Sequence, residues 1–121
     1  MSKAEGEEDF KARVVSLILD SKTEQAIELL SKHYGVEKPK ISVGVFAGRT
    51  KGVRAVYNPR SKEILASSRE YFSDPFTVLH EFYHHLRTFS GKHRGTEKHA
   101  NIFAIEFIKS YKKKVEGKEN G

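Results

Sequence analysis

The residues best suited to chemistry in this sequence are His80-Glu81-Phe82-Tyr83-His84. Imidazole nitrogens bind zinc, and a carboxylate can take up a proton and return it. Residues four apart on a helix lie about 40° apart around its axis and one turn apart along it. His80 and His84 can therefore meet one metal ion from the same side. Glu81, about 100° from His80 on the same wheel, sits beside the pair, out of easy ligand reach but within reach of a water on the metal. Zinc lowers the pKa of such a water to about 7 and polarises a scissile carbonyl, so the pattern suits peptide-bond hydrolysis with Glu81 as general base. Five of the six histidines fall between positions 80 and 99. His33 and His85 have no such spacing and are expected to be ordinary polar residues.

These side chains need elements to hold them. Ser73-Asp74-Pro75 supplies cap residues before a proline suited to the first helical position, which predicts a helix from about Pro75 to Thr88. Apolar residues flank it, with Phe76, Leu79, Tyr83 and Leu86 on one side and Val78, Phe82 and Phe89 on the other, so burial nearly all round is expected. Two histidines and a glutamate in such a helix would each cost about 1 to 3 kcal/mol if left unpartnered, and a metal is a natural partner. Upstream, Phe10, Val14, Leu17 and Ile18 predict one helix. The capping box Ser21-Lys-Thr-Glu24 with Ala26, Ile27, Leu29 and Leu30 predicts a second, stopped at Gly35. Alternation at Ile41, Val43 and Val45, a turn at 48 to 52, and Val53 to Tyr57 predict a hairpin. Lys62 to Ser67 is expected to add a third strand. Thr96 can cap a last helix with Ala100, Phe103, Ala104, Phe107 and Ile108 on its apolar face. The expected fold is α+β: two N-terminal helices, a small three-stranded sheet, the motif helix and a C-terminal glutamate helix. They form one domain spanning 1–121, with 1–8 and 115–121 frayed.

A catalytic zinc takes a third protein ligand and keeps one position open. Glu97 and His99 are the candidates. Glu97 projects about 60° from the centre of the last helix's apolar face and His99 about 110°, so helix orientation favours Glu97. For oxyanion stabilisation His93, Arg94 and Tyr83 are the candidates, none of them with a specific signal. Tyr83 lies on the apolar flank and is assigned to the core.

The His-Glu-x-x-His motif followed by Glu97-Lys-His-Ala100-Asn101 resembles the gluzincin class of zincin metallopeptidases. The minimal archaeal minigluzincins and the ImmA/IrrE-type peptidases are nearest in element order. The resemblance covers about Ile41 to Phe107. It implies one zinc per chain held by His80, His84 and Glu97, with Glu81 as catalytic base. It further implies an extended peptide or protein substrate paired with the edge strand beside the motif helix, for which Ile64 to Ser67 is the expected strand. Only twelve residues separate His84 from Glu97, fewer than in typical gluzincins. His99 stands where the ImmA/IrrE type often has an acidic residue. This leaves two alternatives: a SprT-like DNA-associated protease with His99 as third ligand, and a non-catalytic zinc-binding regulatory domain. In a chain this small, a tail from about Lys112 lying across the cleft is a further expectation.

Composition narrows the field. The chain has 121 residues and no cysteine, which excludes disulfides, Cys-based zinc sites and thiol nucleophiles. No apolar run approaches bilayer-spanning length, and the acidic start MSKAEGEEDF is unlike a signal peptide, so a cytoplasmic location is expected. The net charge of +6 leaves room for a nucleic-acid partner without indicating one.

Overall fold

A computed structural model describes residues 6–44, 52–89 and 97–120, the side chains of 118–120 excepted. Among them are five helices and a three-stranded sheet: α1 (Glu7–Leu19), α2 (Thr23–Tyr34), β1 (Lys40–Val43), β2 (Ala55–Asn58), β3 (Glu63–Ala66), α3 (Arg69–Phe72), α4 (Pro75–Phe89) and α5 (Glu97–Asn120). The expected α+β class holds. No described helix is long and apolar enough to cross a membrane.

The N-terminal helices form where the apolar spacing predicted them. Phe10, Val14, Val15 and Ile18 of α1 and Ala26, Ile27 and Leu30 of α2 are buried. The start of α2 differs. Ser21 adopts a left-handed φ of 63°, whereas a capping residue takes extended backbone. Its hydroxyl instead meets Ser73 Oγ at 3.0 Å, and no side chain caps α2. Thr23, fully buried, donates to the Phe72 carbonyl at 2.7 Å and so ties α2 to the short α3. That single turn, capped by Ser68, lay below the resolution of apolar periodicity.

The sheet order is β1-β3-β2, with β3 parallel to β1 and antiparallel to β2. The expected β1–β2 hairpin is therefore corrected: the hairpin is β2–β3. Its turn is built by Asn58, whose Oδ1 accepts from Arg60 N at 2.9 Å and Ser61 N at 3.4 Å, and by Lys62 at φ 54°. Nor is the Ile64–Ser67 segment an edge. Ile64 and Ala66, on one face of the strand, are 1% exposed, and β3 is hydrogen-bonded on both sides, to β1 and to β2. Strand β2, half-buried and exposed in alternation, forms an edge instead.

Helix α5 seats Ala100, Ala104 and Phe107 in the core and lies along α1, where Phe10 and Phe107 meet edge to face at 6.2 Å. Lys113 reaches Glu8 at 3.2 Å, and Lys114 pairs with Asp9. The segment from Lys112 thus continues α5 onto α1 and does not cross the cleft. Chain positions 7–8 and 115–120, where fraying was expected, are helical. Thr96, Val45 and the turn at 48 to 51 lie outside the described residues.

Candidate metal centre

Helix α4 begins as its sequence demands. Asp74 Oδ2 accepts from Thr77 N at 3.2 Å and from Thr77 Oγ1, satisfying donors that a helix start leaves open. Pro75 follows at the first position, where its missing N–H costs nothing. From this start, Val78, Leu79, Phe82, Tyr83 and Leu86 are driven into the core. The opposite stripe of His80, Glu81, His84, Arg87 and Thr88 is half-buried or exposed. Burial all round is thus corrected, and Phe89 is 42% exposed, beneath Lys62 Nζ at 5.7 Å.

Helix α5 meets this stripe with its first turn, and Tyr83 and Phe103 pack between the two helices at 5.5 Å. His80 Nε2 lies 2.7 Å from Glu97 Oε1, and His84 Nε2 lies 3.3 Å from Glu97 Oε2. One ligand atom from each of the three residues falls within 4.8 Å of the others. The sequence-derived trio is thus brought together. His99 is exposed and stands outside this group, the one metal-competent group among the described residues. His93 and Arg94 lie outside the described residues, and Tyr83 is 5% exposed, in the core as assigned.

The donor set fits a cation on its own chemistry. His80 Nδ1 is 2.8 Å from Asn101 Oδ1, an oxygen that can only accept, a contact that favours the tautomer with its proton on Nδ1. In the neutral ring Nε2 then carries a bare lone pair, aimed at a carboxylate oxygen. Only a proton or a cation reconciles that contact. Two donors about 2.0 to 2.1 Å from a tetrahedral zinc stand roughly 3.3 Å apart, so the His84–Glu97 pair already has this separation and the His80–Glu97 pair need only open by roughly half an ångström. Burial, the largest influence on His84, lowers its pKa and favours the neutral form that a metal requires. Two imidazoles and a carboxylate are the donor types of zinc rather than of magnesium or calcium.

Glu81 lies beside the trio. Burial, and secondarily the negative charge of Glu97, push its pKa up from 4.5 to about 8. That value belongs to the metal-free site: a base must be ionised, and a cation held by the trio would offset the charge of Glu97 and lower it.

Four residues at or beside the site, Asn101, Tyr57, His85 and Thr88, were given no part in it by the sequence. Asn101 orients His80 from the second turn of α5. Tyr57 of β2 places its hydroxyl 2.8 Å from His85 Nδ1, and His85 Nε2 is 2.7 Å from the Glu37 carbonyl. His85, far from an ordinary polar residue, is fully buried and clamps β2 and the α2–β1 connection to α4. Thr88 Oγ1 bonds the His84 carbonyl at 3.2 Å and faces the Tyr57 hydroxyl at 3.5 Å. An isolated tyrosine in a strand pattern announces none of this.

A cleft of about 470 Å³ opens between α4 and β2, lined by Ala55, Tyr57, Glu81, His84, Arg87 and Glu97. A second of about 360 Å³ adjoins it, lined by Arg54, Ala55, Phe76, His80, Glu81 and Asn101. Along their wall runs β2. Ser67 N bonds the Arg54 carbonyl at 2.8 Å, and the register pairs Val56 with Leu65 and Asn58 with Glu63. Antiparallel alternation then turns the backbone N–H and C=O of Ala55 and Tyr57 away from β3, to the edge that no other strand among the described residues pairs. Comparisons of the chain with protein-family models, with curated proteins and with solved structures each find no match.

Proposed function

We propose that the chain is a zinc-dependent metallopeptidase, with His80, His84 and Glu97 as the metal ligands and Glu81 as the general base. The observation that carries the proposal is the convergence of the three ligand atoms within 4.8 Å, with Glu81 beside them, in a cleft walled by a strand edge that no described strand pairs. A zinc ion in this site would polarise a peptide carbonyl and bring the pKa of water down to about 7. The chain's own residues supply the rest. The open edge of Ala55 and Tyr57 can pair with an extended peptide by strand addition, laying it between β2 and α4. This moves the expected substrate strand from Ile64–Ser67 to β2. Glu81, which lines both parts of the cleft, takes a proton as the attack proceeds and returns it to the leaving amine. The DNA-associated alternative depends on His99 as ligand and gains no support from the grouping of Glu97 with the two histidines. A non-catalytic zinc domain would share the ligands but has no use for Glu81 or for the open edge.

Elemental analysis and turnover of an unfolded protein test this together. The wild type is expected to hold about one zinc per chain, and His80→Ala and Glu97→Ala to lose it. Glu81→Gln is expected to keep zinc while activity falls by about 10²- to 10⁴-fold. Zinc retained in Glu97→Ala but lost in His99→Ala would replace the third ligand. Full turnover by Glu81→Gln would remove the base.

A further inference from the structure

The two parts of the cleft share Ala55 and Glu81, so they form one groove astride the proposed base. Each part contains one arginine. Arg87 lies one helical turn beyond His84 on the cleft stripe of α4, close enough that its charge opposes protonation of His84. Arg54 stands at the opposite end, immediately before β2, with its guanidinium 5.8 Å from the centre of the Tyr71 ring. Both are exposed, and neither forms an ion pair with a described acidic side chain. Glu81 and Glu97, the carboxyls lining the groove, are committed to the centre between them. A bound divalent ion would offset their charge and leave the two ends as the dominant, positive feature.

Strand addition sets the spacing. Arg54 precedes Tyr57 by three residues, about 10 Å along an extended chain at 3.3 Å per residue. Tyr57 shares its end of the groove with Arg87. A peptide paired with Ala55 and Tyr57 therefore passes Arg54 on one side of Glu81 and Arg87 on the other, about three residues apart. Guanidinium groups suit carboxylates by their planar, two-pronged hydrogen bonding.

We propose that Arg54 and Arg87 are specificity-determining residues that select peptides with an acidic side chain on each side of the scissile bond. This rests on the peptidase reading of the site, and its test is separable from it. Three otherwise identical unstructured peptides, with Glu, Gln or Lys flanking the cleavable bond on both sides, are offered to the zinc-loaded protein. The expected order of kcat/KM is Glu above Gln above Lys, with roughly fivefold for each arginine contact, the value of a partly exposed ion pair. The double variant Arg54→Glu, Arg87→Glu is expected to reverse the order, a result that mere structural damage does not produce. Cleavage of all three peptides at equal rates, or an unreversed order in the double variant, overturns the proposal.

Binding supplies the independent reading. The zinc-loaded Glu81→Gln protein is titrated with the same three peptides by fluorescence anisotropy. Acid-selective binding that the double variant reverses supports the two arginines even where no peptide is cleaved, an outcome that removes the peptidase reading alone. Equal affinity for Glu and Lys peptides overturns the proposal whatever the turnover.

Discussion

His80 and His85 lie on the same helix, five positions apart, and meet opposite surroundings. His85 sits between one acceptor, the Glu37 carbonyl, and one donor, the Tyr57 hydroxyl. A neutral imidazole, with one N–H and one lone pair, satisfies both. His80 sits between two acceptors, Asn101 Oδ1 and a Glu97 carboxylate oxygen, which no neutral ring can satisfy. What separates a structural histidine from a candidate ligand here is the balance of donors and acceptors around the ring. Burial alone does not separate them, since the His80 side chain is itself only 13% exposed.

The largest effect expected from this contrast is on the structural side. His85→Ala removes a fully buried ring and leaves the Tyr57 hydroxyl and the Glu37 carbonyl without their partner. Cavity and unsatisfied groups together are expected to lower unfolding free energy by about 3 to 5 kcal/mol in urea, while the folded protein still binds zinc. Loss of zinc with stability unchanged would invert the roles of the two histidines.

On the cleft side the sharpest signal is a pH dependence. The folded, metal-free chain holds the Glu81 proton up to about pH 8, whereas the unfolded chain releases it near 4.5. Between these values the folded state binds more protons, so stability falls as pH rises. The Glu81 contribution is fully present below about 4.5 and gone above about 8, a shift equivalent to roughly 5 kcal/mol before solvent screening at this half-buried site reduces it. Urea midpoints of chelator-treated protein at pH 5 and pH 8.5 measure it, and Glu81→Gln should remove that part of the slope. An identical slope in wild type and variant would show that burial does not hold this proton.

The same contrast explains how far the sequence could be read. His80, Glu81 and His84 were legible because helical spacing alone puts them on one stripe, and Asp74-Pro75 fixes where the helix begins. Glu97 was legible because one wheel angle set it nearer the packed face than His99. Long apolar repeats placed α1, α2, α4 and α5. Strand order was not legible, because the sequences of β1 and β2 both alternate, and what distinguishes centre from edge is backbone pairing with two neighbours. The contiguous Ile64-Leu65 pair was the local trace of β3's central place. Ser21 misled for a related reason: its composition matched a cap, but a distant partner, Ser73, took the hydroxyl. Tyr57, Asn101 and His85 act through contacts 28, 21 and 48 residues away, a range that local pattern does not cover.

The smallest effect tests the contrast at its origin, the acceptor that fixes the His80 tautomer. Asn101 Oδ1 holds the proton on Nδ1 and so keeps Nε2 free for a metal. Replacing it by Leu leaves the ring free to rotate and to carry its proton on either nitrogen, and such outer-shell losses weaken metal binding by about 10- to 100-fold. Asn101→Asp retains an acceptor at the same place, and a carboxylate there raises the basicity of the ring, so its affinity is expected to equal or exceed that of the wild type. Competition with a chromophoric chelator reads both variants on one scale. Wild-type affinity in Asn101→Leu would mean that Glu97 and His84 orient His80 unaided, and that the two-acceptor environment is a consequence of the ligand geometry rather than its cause.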